Sequence, residues 1–151
     1  MANPAPLYLA RNIAPHLIGL DWAIGGSTLL HHLGIEPNPA DLDIVVSTAH
    51  FKAAEGKLIC LFGEGRQLQH ASYQSEHFTR FKAADSTQID IMAGIAVLQG
   101  NEVIPWHFEP QNTVIEAGLP WMQTQDWLVL YTLFNRPARV AQVQKYLTRQ
   151  L

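Results

Sequence analysis

Residues 20–47 read LDWAIGGSTLLHHLGIEPNPADLDIVVS, and the fold follows from how this stretch divides. Residues 20–24 form a short, mostly apolar run closed by glycine, as a strand is, and residues 28–33 read as two helical turns. Between them Gly25-Gly26-Ser27 makes a strand-to-helix junction, with Ser27 suited to cap the helix and Gly34 to end it. Pro37 and Pro39 cannot continue a helix, so residues 35–40 form a loop that delivers the chain to a second strand at 42–47.

Upstream, Leu7, Leu9, Ile13, Leu17 and Ile18 recur near a period of 3.6 and predict an amphipathic helix closing near Gly19. Downstream, residues 49–62 return to helical spacing, with Phe51, Leu58, Leu61 and Phe62 as core contacts and Gly63 and Gly65 as the stop. Strands are predicted at 67–72, 77–83 and 88–92, with gaps of hairpin length that favour antiparallel pairing, and a further strand at 102–108. Residues 126–151 carry Leu128, Leu130, Leu133, Val140, Val143 and Leu147 and read as two helices broken at Asn135-Arg136-Pro137. The order implies an α+β fold with a mixed, mostly antiparallel sheet, flanking helices and a helical C-terminal tail. A length of 151 residues matches about one domain, 1–151, with a motif-bearing core at 20–94 and the tail at 120–151.

Hydrophobic residues make up 48% and charged residues 15%, a globular balance far from that of disordered chains, and the low charge points toward a homo-oligomer. Ten Lys and Arg against thirteen Asp and Glu give a net charge of -3, which supplies no positive field for a long nucleic acid. Cys60 is the lone cysteine, set in the apolar run 58–62, so a buried thiol in a reducing compartment is expected. The first residues lack a basic stretch followed by an apolar one, and the longest apolar run, 127–134, is too short to cross a membrane. A cytoplasmic location is the expectation.

Three features could carry chemistry. At Gly25-Gly26-Ser27 the backbone can turn sharply and offer N–H groups and a hydroxyl to a phosphate, although a tight turn with a capping serine explains the same residues. Asp41 and Asp43 alternate on one strand face with Leu42 turned inward, a spacing that can chelate a hard cation or merely mark a solvated strand entrance. Asp90, between Ile89 and Ile91, puts a carboxylate into an apolar strand, where it needs a partner or an open edge.

The remaining candidates are weaker. Arg80 and Lys82 alternate on the neighbouring strand and are the nearest phosphate partners in sequence, or else a solvated face. Trp121, Trp127, Tyr131 and Phe134 read first as core, with Trp127 and Tyr131 one turn apart and able to frame a base or acceptor pocket. His31 and His32 are adjacent on a helix and so do not share a face, and His16, His50, His70, His77 and His107 lack metal-ligand spacing, which argues against zinc.

Taken together, Gly-Gly-Ser, thirteen further residues, Asp41-Leu42-Asp43 and a later strand bearing a lone Asp90 resemble the nucleotidyltransferase superfamily, which includes DNA polymerase β, CCA-adding enzymes and antibiotic nucleotidyltransferases. With the preceding helix, Gln88-Ile89-Asp90-Ile91-Met92-Ala93-Gly94 and the helical tail, the chain over about residues 7–145 is similar to the small single-domain branch related to abortive-infection and lincosamide nucleotidyltransferases.

The resemblance implies transfer of a nucleoside monophosphate from an NTP to a hydroxyl-bearing small molecule or protein. It implies Asp41, Asp43 and Asp90 as catalytic and metal residues for Mg²⁺ or Mn²⁺, with the nucleotide held by Gly25, Gly26 and Ser27; Arg80 and Lys82, the nearest cations in sequence, are the expected further nucleotide contacts. Members of the branch often carry a basic residue shortly before the Asp-x-Asp, where Pro37-Asn38-Pro39-Ala40 has none. Their tail often carries a lysine followed by an Arg/Lys-Asp pair, where this chain has Tyr131 and Arg136-Pro137-Ala138-Arg139. These departures keep a second reading open, a catalytically weak nucleotide-binding or regulatory module of the same fold, toxin–antitoxin-like. A third is a structural domain with exposed acids.

Overall fold

The computed structural model describes residues 4–68 and 74–150. The helices are α1 (Ala5–Ile13), α2 (Gly26–His32), α3 (Phe51–Phe62), α4 (Thr124–Leu133) and α5 (Pro137–Arg149). The strands are β1 (Trp22–Gly25), β2 (Leu42–Val46), β3 (Arg66–Gln67), β4 (His77–Lys82), β5 (Gln88–Ala93), β6 (Ala96–Gln99), β7 (Glu102–Pro105), β8 (Val114–Glu116) and β9 (Leu119–Trp121). Seven strands form one sheet in the order β3-β4-β5-β2-β1-β9-β8, while β6 and β7 pair as a separate hairpin. Within the large sheet β2 with β5 and β1 with β9 run parallel and the other neighbours are antiparallel, so the sheet is mixed and mostly antiparallel as expected.

Strand alternation divides the sheet into two faces. Leu42 and Ile44 lie opposite Ile89 and Ile91 in register and are wholly buried. The same face carries Thr79, whose hydroxyl donates to Glu55 Oε2 of α3 at 2.7 Å, so α3 covers this side with Phe51, Ala54 and Leu58 inward. The other face carries Asp43, Asp90 and Met92, and α4 closes over it with Trp127, Leu130 and Tyr131 buried. The buried side chains join in one cluster that reaches from Leu9 and Ile13 of α1 to Val143 of α5.

Several expectations need correction. The first helix stops at Ile13 and gives way to a single 3-10 turn, Ala14–His16, because Pro15 has no N–H with which to continue it. Leu17 stays buried, but Ile18 is 82% exposed rather than in the core. Ser27 does not cap α2. Gly26, at φ +60°, makes the turn one residue earlier, so Gly25 is the cap and Ser27 lies inside the helix. Cys60 is exposed, since two residues beyond the buried Leu58 is nearly the opposite face of a helix, and Leu61 is likewise exposed.

Of the strand expected at 67–72 the described part is β3 and Leu68, whose N–H donates to the Phe78 carbonyl at 3.0 Å; residues 69–73 lie outside the described residues. The strand expected at 102–108 ends at Pro105, and its partner β6 and the β8–β9 hairpin were not anticipated. The β8–β9 hairpin turns at Ala117 and Gly118, both at positive φ, where an alanine hides the usual Asn-Gly or Asp-Gly signal. Among the described residues no helix is long and apolar enough to cross a membrane.

The position of Cys60 is directly testable. A thiol reagent such as dithionitrobenzoate should label the native protein once per chain without denaturant, whereas labelling that waits for unfolding would place the thiol inside.

Candidate active site

The register of five neighbouring strands lines up one row of residues across the sheet. Gly25 of β1 faces Asp43 of β2, Asp43 faces Asp90 of β5, Asp90 faces Arg80 of β4, and Arg80 faces Arg66 of β3. Directly paired residues point to the same face and neighbouring strands are about 4.8 Å apart, so the two carboxylates and the arginine are immediate neighbours. Asp41, two residues before Asp43, projects to the same side because Leu42 between them turns into the core.

Asp90 is 5% exposed and is fully engaged by Arg80, which donates from Nε to Oδ1 at 2.8 Å and from Nη2 to Oδ2 at 3.0 Å. This bond to Asp90 holds the Arg80 guanidinium above its ordinary range. Asp43 has no such compensation. Burial, then the charges of Asp90 and Asp41, push its carboxyl up to about 7, and burial and Asp90 raise that of Asp41 as well.

The glycines are required by the site's own side chains. A Cβ on Gly25 would run into the Trp127 ring, and one on Gly26 would run into Asp43 Oδ2, besides needing a positive φ. The hydroxyls at the start of α2 fasten the Asp-x-Asp backbone: Thr28 Oγ1 donates to the Asp41 carbonyl at 2.9 Å and Ser27 Oγ to the same oxygen at 3.3 Å. Ser27 therefore spends its proton on the protein, and the buried Thr28, not anticipated as a site residue, does the same over a shorter distance.

Asp41, Asp43, Asp90 and Arg80 line one wall of a cleft of about 240 Å³, and Trp127, Tyr131, Phe134 and Arg136 line the facing wall. Trp127 and Tyr131 meet edge to face with centroids 5.8 Å apart, and the Arg136 guanidinium sits 6.0 Å from the Tyr131 ring. Phe78 and Met92, paired across β4 and β5, complete an apolar end. Arg136, Phe78 and Met92 were not anticipated at the site. Arg136 carried a signal in its tail position, but Phe78 and Met92 look like any strand-core residues.

The other candidates fall elsewhere. Lys82 is exposed beyond Arg80 and does not line the cleft. Arg139 reaches Glu36 Oε2 at 2.9 Å while Glu36 Oε1 accepts from the Asn38 N–H at 3.1 Å, so it ties α5 to the loop ahead of Asp41. Those two bonds hold the Glu36 carboxyl below its usual range. Trp121 is buried under His32, stacked at 4.0 Å, and His31 Nδ1 lies 2.9 Å from the Glu36 carbonyl, so neither histidine faces the acids. Among the described residues no three His, Cys, Asp or Glu side chains stand arranged to hold a metal.

No protein-family model matches the chain, and no curated protein matches it in sequence. Solved structures match its fold over nearly the whole length, and that fold is the nucleotidyltransferase fold. TM1012 of Thermotoga maritima, assigned as a nucleotidyltransferase, aligns with a TM-score of 0.70 at 20% identity, covering 97% of this chain and 96% of that one. ANT(2")-Ia in complex with adenylyl-2"-tobramycin aligns at 0.64 and 12% identity, over 96% and 89% of the two chains. The lincosamide antibiotic adenylyltransferase LnuA, lincomycin-bound, aligns at 0.61 and 12% identity, over 96% and 98%.

A carboxyl whose folded pKa stands at about 7 against an ordinary 3.8 costs stability once the unfolded chain ionises, and the cost grows with pH until the folded group has ionised too. Asp43→Asn should therefore leave the melting temperature near pH 4 unchanged and raise it at pH 8 by roughly 2–4 °C for each kcal/mol recovered. An equal or lower Tm at pH 8 would show that Asp43 bears no such load. Gly26→Ala, by contrast, should lower Tm at both pH values, because the added methyl meets Asp43 and φ is positive.

Proposed function

We propose that the protein transfers a nucleoside monophosphate from an NTP to a hydroxyl of a small molecule or protein, releasing pyrophosphate. The observation that carries this reading is the convergence of Asp41, Asp43 and Asp90 with Arg80 and Arg136 on one cleft in a nucleotidyltransferase fold. Hard carboxylate oxygens suit Mg²⁺ or Mn²⁺, and the raised pKa of Asp43 among neighbouring acids reports a charge surplus that a divalent cation would relieve. Asp41 and Asp43 would hold the cation, with Asp90 joining them. When bound, it would offset charge on the triphosphate and favour ionisation of the attacking hydroxyl.

The chain's own residues supply the rest. The start of α2, where Gly26 lies against Asp43, would offer backbone N–H groups to phosphate oxygens. Arg136, exposed at the head of α5, supplies a cation that the loop before Asp41 lacks, and Arg80 supplies a second. The acceptor oxygen forms a bond to the α-phosphorus as the bond to pyrophosphate breaks, and Asp90 takes the hydroxyl proton. Phe78, Met92, Trp127, Tyr131 and Phe134 give the acceptor side an apolar, aromatic character that fits a compact organic molecule. Two arginines suffice for a triphosphate but not for following a polynucleotide backbone.

One observation favours the alternative of nucleotide binding without turnover: Arg80 occupies both oxygens of Asp90. A single experiment separates the two. Protein, Mg²⁺, α-labelled NTPs and a panel of hydroxylated small molecules, aminoglycosides and lincosamides included, should yield pyrophosphate and labelled acceptor. EDTA should stop the reaction, and Asp43→Asn should lower it by about a hundredfold or more. Nucleotide bound without pyrophosphate release would establish the alternative, and full activity of Asp43→Asn would exclude its metal role. Filter retention of tRNA at physiological salt should remain at background.

A further inference from the structure

We propose that Arg80 is a positioning residue that withholds Asp90 from a divalent cation until a phosphate-bearing ligand draws the guanidinium away. The proposal rests on the nucleotidyl-transfer reading of the cleft and adds to it an order of events. Its basis is the fork-to-fork pair: at 2.8 and 3.0 Å each carboxylate oxygen of Asp90 accepts a bond from the guanidinium, and at 5% exposure the residue has little solvent to turn toward. While this pair is made, only the outer lone pairs of Asp90 remain, and a cation taking them would stand beside the full positive charge of the guanidinium, which competes with it for the same carboxylate.

Arg80 is held there from two sides. Asp90, Asp43 and Asp41 attract it, and Arg66, directly opposite on β3, is a like charge that disfavours its swinging toward the sheet edge. The open direction is the cleft, where the side chain is 28% exposed. A phosphate oxygen pair matches the guanidinium fork as well as a carboxylate does. A triphosphate entering the cleft can therefore take over Arg80, and Asp90 then becomes available to the cation beside Asp43. Cation and triphosphate would each make room for the other, which is positive coupling between two ligands.

Binding measurements test this without turnover. Mn²⁺ alone is titrated into wild type, Arg80→Met and the double variant Arg80→Met/Asp90→Asn, with free Mn²⁺ read by electron paramagnetic resonance. The β,γ-imido analogue of ATP is titrated separately in EDTA. Removing Arg80 should strengthen Mn²⁺ binding by about tenfold and weaken the metal-free analogue by a similar factor, and the double variant should lose the gain in Mn²⁺ affinity. A pair that is only structural would weaken both ligands or neither.

Unchanged or weaker Mn²⁺ binding in Arg80→Met overturns the proposal, as does a gain that survives in the double variant. If Arg80→Met does not fold, Arg80→Lys replaces it, since one ammonium cannot grip both oxygens in a fork. A smaller gain in the same direction supports the proposal and no gain overturns it. An analogue that binds neither wild type nor any variant, with Mn²⁺ as well as in EDTA, overturns the nucleotidyl-transfer reading, whereas Mn²⁺ affinity indifferent to Arg80 overturns only the present one.

Discussion

The in-register row Gly25, Asp43, Asp90, Arg80 is the constraint on which the rest of the site depends, because it fixes neighbouring charges at strand spacing whatever the loops do. A slip of one residue between β2 and β5 would set Asp90 against Leu42 or Ile44 and turn a carboxylate toward the core. The apolar face prevents that slip. Leu42, Ile44, Ile89 and Ile91 are wholly buried and belong to one core cluster, so the hydrophobic packing that holds the sheet also aims the acids. Fold stability and site geometry here share one cause.

The row was legible in sequence only in part. Alternation in residues 41–44 and 88–92 implied that each acid leaves the core, and the short gap between β4 and β5 implied a hairpin. Nothing local could say that β2 lies beside β5, since that pairing is parallel and spans more than forty residues of intervening chain. Arg80 was visible as a cation but not as the partner of Asp90. The strands β8 and β9 were missed for a similar reason: three residues each, with Pro120 inside one and an alanine at positive φ between them, they carry almost no periodic signal. Ser27 misled because its capping chemistry is real, but Gly26 had already made the turn.

Small residues on β1 and large ones on α4 are two halves of a single fit. The absence of a side chain at Gly25 lets the Trp127 ring lie on the strand, which seats α4 close enough for Tyr131 and Phe134 to face the acids. From the other end, Arg139 and Glu36 tie the head of α5 to the loop that leads into Asp41. The tail is thereby held against the sheet on both sides of the cleft. Arg136, between these anchors, faces the acids although it stands more than ninety residues from Asp41 and Asp43 in sequence.

The charges of the cleft also explain why its acids can be tolerated before any ligand arrives. Asp41, Asp43 and Asp90 carry up to three negative charges, against which Arg80 and Arg136 set two. The deficit falls on Asp41 and Asp43, whose carboxyls both lie above their ordinary range, and most heavily on the more deeply buried Asp43. Near neutral pH that group is partly protonated, so the protein relieves its own repulsion by holding a proton where a cation would otherwise serve. Burial by Trp127 and Tyr131 sharpens this effect, since the same apolar wall that shapes an acceptor pocket removes solvent from Asp43. The wall and the acids are thus coupled: a more enclosed cleft binds a compact acceptor better and, through desolvation, makes the neighbouring carboxylates more dependent on a proton or a cation.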